Sequence, residues 1–254
     1  MIPHYQNDFS TPARCAEFAG LRTSASTVTP LRCVTENGET FARIATTSSF
    51  VHWFDPNHTS FGLGGLFVLA AVYSQEWANG PIPALRDLRG SELRVRMRVS
   101  QLQKPAESKL LVWFQTINPD ADAPLDSSGA LSKYVPMVNY VCTAQDLFER
   151  LGFGKTPSRV DYVERCKWVD FVIPFDGIEE HWDCVGSNTT RTRDQPNVVE
   201  GVYQCASSAN SALSSWQANM GFVMLHPGAK SRPAIETIGN IDLAHFAIWK
   251  PKKK

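Results

Sequence analysis

Ser91–Ser100, SELRVRMRVS, is the stretch whose reading decides the fold. Leu93, Val95, Met97 and Val99 fall on one side of a period of two, and Arg94, Arg96 and Arg98 fall on the other. Only extended chain sorts residues in that way, so the stretch is a strand with one face in a core and one in water. Such a strand cannot hide its apolar face alone; it needs a sheet and a second layer to pack against. Other segments supply them. Glu39–Thr46 (ETFARIAT) alternates and puts Phe41 and Ile44 on opposite faces, while Gly64–Tyr73 is a continuous apolar run suited to a central strand covered on both sides. Lys109–Ile117 (KLLVWFQTI), Lys167–Phe175 (KWVDFVIPF), Gln217–Leu225 (QANMGFVML) and Ile241–Trp249 (IDLAHFAIW) are further strands.

Helix signals are few. Thr143–Leu151 (TAQDLFERL) predicts two turns, with Thr143 as N-cap and Gly152 at the C-terminal end, and Pro81–Leu88 holds at most one turn. Two polar stretches, residues 118–133 and 176–215, exceed simple hairpin loops and are read as excursions from the rim. No internal repeat and no Pro- or Gly-rich linker divides the 254 residues, so the expectation is a single all-β domain, an antiparallel β-sandwich with long rim loops and one or two short helices.

Composition excludes partners more than it selects them. Lys and Arg number 25 and Asp and Glu number 25, so no global field favours nucleic acid or anionic lipid. With 43% hydrophobic and 20% charged residues the chain can bury a sizeable core. No apolar run approaches the ~20 residues that a membrane-spanning helix needs, and the N-terminus lacks the pattern of a secretory signal. Synthesis in the cytoplasm without membrane insertion is the expectation. Cys15, Cys33, Cys142, Cys166, Cys184 and Cys205 show no C-x-x-C pair and no zinc spacing; they are read as buried free thiols, with disulfides as the alternative should the protein end up outside a cell.

The order of four segments resembles the jelly-roll β-sandwiches of carbohydrate-binding modules and galactose-binding-like domains. Asn37–Ile44 (NGETFARI) is similar to the second strand of those domains, and Asp87–Gly90 (DLRG) to the lead into their main sheet. Trp168–Phe175 (WVDFVIPF) resembles a strand in which a Trp precedes an I-P-F ending. Gly239–Ile248 (GNIDLAHFAI) resembles their terminal strand with its buried acidic residue. The resemblance implies a jelly-roll sandwich and contact with sugars through exposed loops.

Several constellations carry candidate chemistry. Glu179, His181 and Asp183 in EEHWDC would share one face if extended, and two carboxylates with an imidazole could do acid/base work or hold a metal. The segment is loosely similar to the E-x-D-x-x-E strand of retaining glycosidases of the concanavalin-like sandwich type, with His at its centre and no third carboxylate at the matching offset. The competing reading is a solvated loop with Trp182 folded inward. His52, Asp55 and His58 form H-x-x-D-x-x-H, a possible metal set that is also an ordinary turn around Asp55-Pro56-Asn57. No G-x-S-x-G elbow occurs, and Gly62–Gly65 lacks the Lys-Ser/Thr of a phosphate loop. Aromatic rings stack on the C–H faces of sugars, so Trp53, Trp77, Trp182, Tyr203 and Trp216, in or beside loops, are the carbohydrate-binding candidates; Trp113, Trp168 and Trp249 are assigned to the core. The arginine stripe pairs with carboxylates of a neighbouring strand or makes a subunit contact.

Together these readings favour a non-enzymatic structural or attachment component of a larger assembly, a phage or virus-like particle. Its partners would be copies of itself, other particle proteins and a cell-surface glycan, with no nucleic acid. No cofactor is called for, with calcium left open. The alternatives are a glycan-active hydrolase or lyase using Glu179, His181 and Asp183, and a stand-alone carbohydrate-binding protein.

Overall fold

The computed structural model describes residues 1–22, 28–29, 31–46, 66–75, 79–105, 108–117, 137–153, 160–163, 167–188, 201–202, 208–225 and 238–252. Two antiparallel sheets face each other across one hydrophobic core. The seven-stranded sheet contains β1 (Ile2–Asn7), β4 (Arg32–Glu36), β5 (Glu39–Thr46), β7 (Ser91–Pro105), β10 (Val160–Val163), β11 (Val169–Phe175) and β15 (Ile238–Lys250). Long β7 and β15 lie side by side at its centre; β7 takes β11 and then β10 along its free edge, and β15 takes β5 and β1 along its own. The eight-stranded sheet runs β13 (Gly201–Val202), β12 (Trp182–Asn188), β9 (Met137–Cys142), β8 (Lys109–Ile117), β14 (Gln217–Leu225), β6 (Leu66–Tyr73), β2 (Phe18–Arg22) and β3 (Val28–Thr29). Short helices α1 (Pro12–Ala16), α2 (Leu147–Arg150) and α3 (Ala209–Ser214) sit between strands. The expected antiparallel jelly-roll sandwich with few short helices is the fold observed.

The alternation in β7 does what its pattern requires. Leu93, Val95, Met97 and Val99 are buried in the core, and the arginines between them point away from it. β5 likewise sends Ala42 and Ile44 inward and Phe41 outward, where the ring packs edge-on against Trp168. β4 and β5 form a hairpin closed by Asn37 and Gly38, both with positive φ (52° and 79°), the two-residue geometry that an Asn-Gly pair favours. Glycine is needed again at position 221 in β14, where a Cβ would lie 1.9 Å from the Ala70 carbonyl oxygen of β6.

The structure corrects several sequence expectations. The helix expected at Thr143–Leu151 is a single turn from Leu147, because the Asp146 carboxylate caps the Phe148 N–H and also accepts from Leu110 N–H of β8. Gly152 does follow it at positive φ (103°), as a residue just past a helix end should. Pro81–Leu88 is not helical: its main chain bonds instead to Tyr73, Gln75 and Gln217, bridging along strand ends. The polar stretch 176–215 is not one rim excursion, since it contributes β12 and β13 to the sheet. The stretch 118–133 lies outside the described residues. Cys15, Cys33 and Cys142 are free, but Cys184 is disulfide-bonded, contrary to an all-thiol reading. Among the described residues no helix is long and apolar enough to cross a membrane.

Candidate functional site

Outward-facing positions of an antiparallel sheet are ordinarily wet, giving strands that alternate between buried and exposed. β8 breaks that rule: every residue from Leu110 to Ile117 is buried, on both faces. Leu110, Val112 and Phe114 belong to the central core, so Leu111, Trp113 and Gln115 project from the opposite face. Neighbouring strands complete a patch there. In register with Trp113 stand Val141 of β9 and Gly221 of β14, and beyond Gly221 stands Ala71 of β6. One step along, Asn139, Gln115, Asn219 and Tyr73 form a second row across the same four strands.

That second row is a chain of amides. Trp113 Nε1 donates to Asn139 Oδ1 (3.3 Å), and Gln115 Nε2 donates to the same oxygen (3.0 Å). Asn219 Nδ2 donates to Gln115 Oε1 (2.9 Å). Asn219 is only 6% exposed, yet its Oδ1 has no hydrogen-bond partner among the described residues. A buried carbonyl oxygen without a donor is costly, so a row that ends in one is oriented toward something it can still accept from. Ala71, Leu111, Trp113, Val141 and Val223 form a buried apolar cluster on this face, with Gly221 in register beside Trp113. Tyr73 at one margin is half-buried, and Asp183 of β12, opposite Val141, is exposed at the other.

The sequence pointed elsewhere. Glu179 and His181 are not on a strand but in a 3-10 turn, Glu179–His181, so they do not share a face with Asp183. The local cause is the Asp176 carboxylate, which accepts from Ile178 N–H and lies 2.7 Å from His181 Nδ1, folding the chain back on itself. Burial works against ionisation of Asp176, but the Ile178 N–H, His181 and Trp182 Nε1 together hold its carboxyl below the usual range. Glu179 caps α3, accepting from the backbone N–H of Ala209 and Asn210. The three residues are therefore employed separately. Trp182 is a core side chain, stacked on Phe175 (5.5 Å between centroids) and edge-on to Phe114, because β12 places it on the inner face. Trp216 is half-buried with the Arg86 guanidinium over its ring. Trp53, Trp77 and Tyr203 lie outside the described residues.

Of the three tryptophans assigned to the core, Trp113 lies in a buried hydrophobic cluster, and Trp168 and Trp249 are only partly buried. Trp113 is buried, but on the far side of its sheet; Trp168 covers the outer side of β5, donating to Glu39 Oε2, and Trp249 carries Arg94 over its ring. No nucleophile emerges at Cys142, whose thiol burial pushes up to about 11 against the Ala144 and Gln145 N–H groups, with the Asp176 charge adding to the rise. Among the described residues no group of three or more His, Cys, Asp or Glu could hold a metal ion, and His52, Asp55 and His58 lie outside them.

No protein-family model matches this sequence, and none of the curated proteins does. Solved structures do resemble it. The chain is similar to a GlcNAcα1-4Gal-releasing endo-β-galactosidase from Clostridium perfringens, at 8% identity and TM-score 0.40, over 99% of this chain and 63% of that one. A surface glycan-binding protein from Prevotella bryantii is similar at 12% identity and TM-score 0.37, over 88% of this chain and 51% of that one. A non-specific endo-β-1,3(4)-glucanase of family GH16 is similar at 7% identity and TM-score 0.37, over 97% and 89% of the two chains. These proteins share the sandwich architecture. They correct the expectation of a phage or virus-like particle component: the similar structures are two glycan hydrolases and a glycan-binding protein.

Proposed function

We propose that this protein is a glycan-directed sandwich protein, and that it holds its ligand on the outer face of the eight-stranded sheet. The observation that carries this reading is the buried amide row ending in the unpartnered Asn219 Oδ1 beside the indole of Trp113. A sugar ring has an apolar C–H face and a rim of hydroxyls. An indole neighboured by the small residues Gly221 and Ala71 suits the first, and a pre-oriented row of amides with a spare acceptor suits the second. Every amide in the row except that acceptor is already bonded to its neighbour, so little ordering remains to be done on binding.

The amide row itself holds no group that transfers protons near neutral pH, and the Asp183 carboxylate lies only at the margin of the patch. The reading is therefore recognition, and hydrolysis enters as a second measured outcome. A glycan array and calorimetry with soluble β-glucan and galactan oligosaccharides test it. Binding should weaken by roughly tenfold or more in Asn219→Ala, the cost of one well-made hydrogen bond to a buried acceptor. Trp113→Phe should weaken it through loss of the Nε1–H that orients Asn139. Retained affinity in both variants, or no binding to any glycan on the array, would overturn the assignment. Release of reducing ends from the same oligosaccharides would show that catalysis accompanies binding.

A further inference from the structure

We infer that Cys15 and Cys33 form a disulfide-forming pair, a second oxidation site of the chain that ties α1 to the edge strand β4. Both thiols converge on one atom. Cys15 Sγ donates to the Phe9 carbonyl oxygen (3.6 Å), and Cys33 Sγ donates to the same oxygen (3.9 Å). The Phe9 backbone is turned to present that carbonyl: its φ is +53°, in the left-handed region, and its N–H is held by Asn7 Oδ1 at 2.8 Å. Asn7 is itself fully buried and donates to Glu17 and to the Arg14 carbonyl, so the turn is anchored on both sides. Helix α1 begins at a Thr11 cap with Pro12 in its first turn, and it packs against β4. The two cysteines thus come from rigid elements, far apart in sequence, and face each other across a single oxygen.

Their exposures divide the chemistry. Cys15 is buried, and burial together with the neighbouring Cys33 thiol pushes it up to about 12, whereas Cys33 is partly exposed. Oxidant therefore meets Cys33 first. With glutathione disulfide as oxidant, the Cys33 thiolate attacks one sulfur and one glutathione thiolate leaves. Cys15 then gives up its proton, and its thiolate attacks the Cys33 sulfur and expels the second glutathione thiolate. Two protein thiols become one disulfide, one glutathione disulfide becomes two glutathione thiols, and the two protons lost by the protein are taken up by those leaving groups. The chain already carries one oxidised cysteine at Cys184, so a disulfide-permissive setting is part of its chemistry.

The reaction is tested on the full-length protein held in glutathione redox buffer, quenched with iodoacetamide and digested with trypsin without reduction. Cleavage after Arg14, Arg22, Arg32 and Arg43 isolates the two cysteines in peptides 15–22 and 33–43. The expected product is these two peptides joined, lighter by two hydrogen atoms than their sum. Its yield should rise with pH, because Cys15 must ionise to complete the exchange. The cross-link should raise Tm by roughly 5–10 °C, the shift expected for closing a loop of this length in a chain of this size. Cys33→Ser should abolish the joined peptide and remove the part of the Tm response to oxidant that accompanies it, leaving only the part due to the Cys184 disulfide. Two separately alkylated peptides at every buffer ratio, or a persistent glutathione adduct on Cys33 with Cys15 alkylated, would overturn the inference.

Discussion

The outward faces of the two sheets both bury polar side chains, but they partner them differently. On the seven-stranded sheet Asp242 of β15 is fully buried between Arg43 of β5 and Arg98 of β7, each directly opposite it in register. Arg43 Nε and Arg98 Nε reach its two carboxylate oxygens at 2.7 and 2.9 Å, and both arginines also bind Glu36. Trp168 and Phe41 lie under the Arg98 guanidinium at 4.4 and 4.5 Å. Donors and acceptors there answer one another. On the eight-stranded sheet the amide row runs Trp113, Asn139, Gln115, Asn219 and stops at an acceptor with no donor among the described residues. A closed polar network is a structural device, whereas an open one is a place for a ligand. On the reading proposed above, the Asp242 network serves stability and the amide row serves recognition, although the seven-stranded sheet also leaves one buried donor, Trp249 Nε1, without a partner among the described residues.

The largest effect expected from this division is on folding. Asp242→Ala leaves two guanidinium groups facing each other without the carboxylate between them, which costs about 3 kcal/mol, the lower part of the range for a broken buried pair because both arginines keep some solvent. In the same urea titration Asn219→Ala should cost less, about 1–2 kcal/mol, since it removes an unsatisfied atom but leaves the buried Gln115 Oε1 without its donor. Glycan affinity should move the other way: unchanged in folded Asp242→Ala and lost in Asn219→Ala. Equal stability losses in the two variants would erase the distinction between the faces.

This contrast was only partly legible in the sequence. β5, β8 and β14 have the bounds expected of them because apolar or alternating runs with clear ends set them. The buried acidic residue anticipated in the terminal strand is Asp242, and the arginine stripe does pair across strands, at Arg98. The strands β4, β9 and β12 escaped notice because they are short and carry Cys, Asn, Thr and Gly in place of an apolar repeat. The amide row was harder still. Gln115 and Asn219 were plainly polar residues inside otherwise apolar strands, and that mismatch was the available signal. Their pairing joins residues 104 apart, which depends on strand order and on nothing local. The Glu179 segment divides its two readings: the shared face needs a strand, but Asp176 turns the chain at Glu179–His181, and Trp182 folds inward as the competing loop reading expects.

Acidity should separate the faces by a smaller amount. Glu36, held below the ordinary carboxylate range chiefly by Arg43, and Asp176, held down by Ile178 N–H, His181 and Trp182, both favour their charged form in the folded state. Their contribution is fully present above the unfolded carboxylate pKa of about 4, and it is lost as pH falls through their lower folded values. Stability measured by urea midpoint should therefore decline below about pH 4. The amide row has nothing to titrate, so glycan affinity should stay flat between about pH 5 and pH 8. An affinity that follows a carboxylate titration would instead bring Asp183, exposed at the margin of the patch, into the site.

The smallest effect tests whether burial, rather than charge, sets the value of the arginine stripe. Arg94 and Arg98 lie on the same strand with the same chemistry, but their side chains are 42% and 12% exposed. Arg94 pairs with Glu92 on its own strand and covers Trp249 at 4.4 Å, both contacts that solvent can replace. An exposed ion pair contributes at most about 1 kcal/mol and weakens with salt, so Arg94→Ala should shift the urea midpoint little, and less again at high ionic strength. Arg98→Ala removes a donor from fully buried Asp242 and should cost two- to threefold more, nearly independent of salt. If the two substitutions cost the same, the ion network around Asp242 is not what distinguishes this face, and the stabilising role assigned to it passes to the Trp168–Phe41 pair beneath.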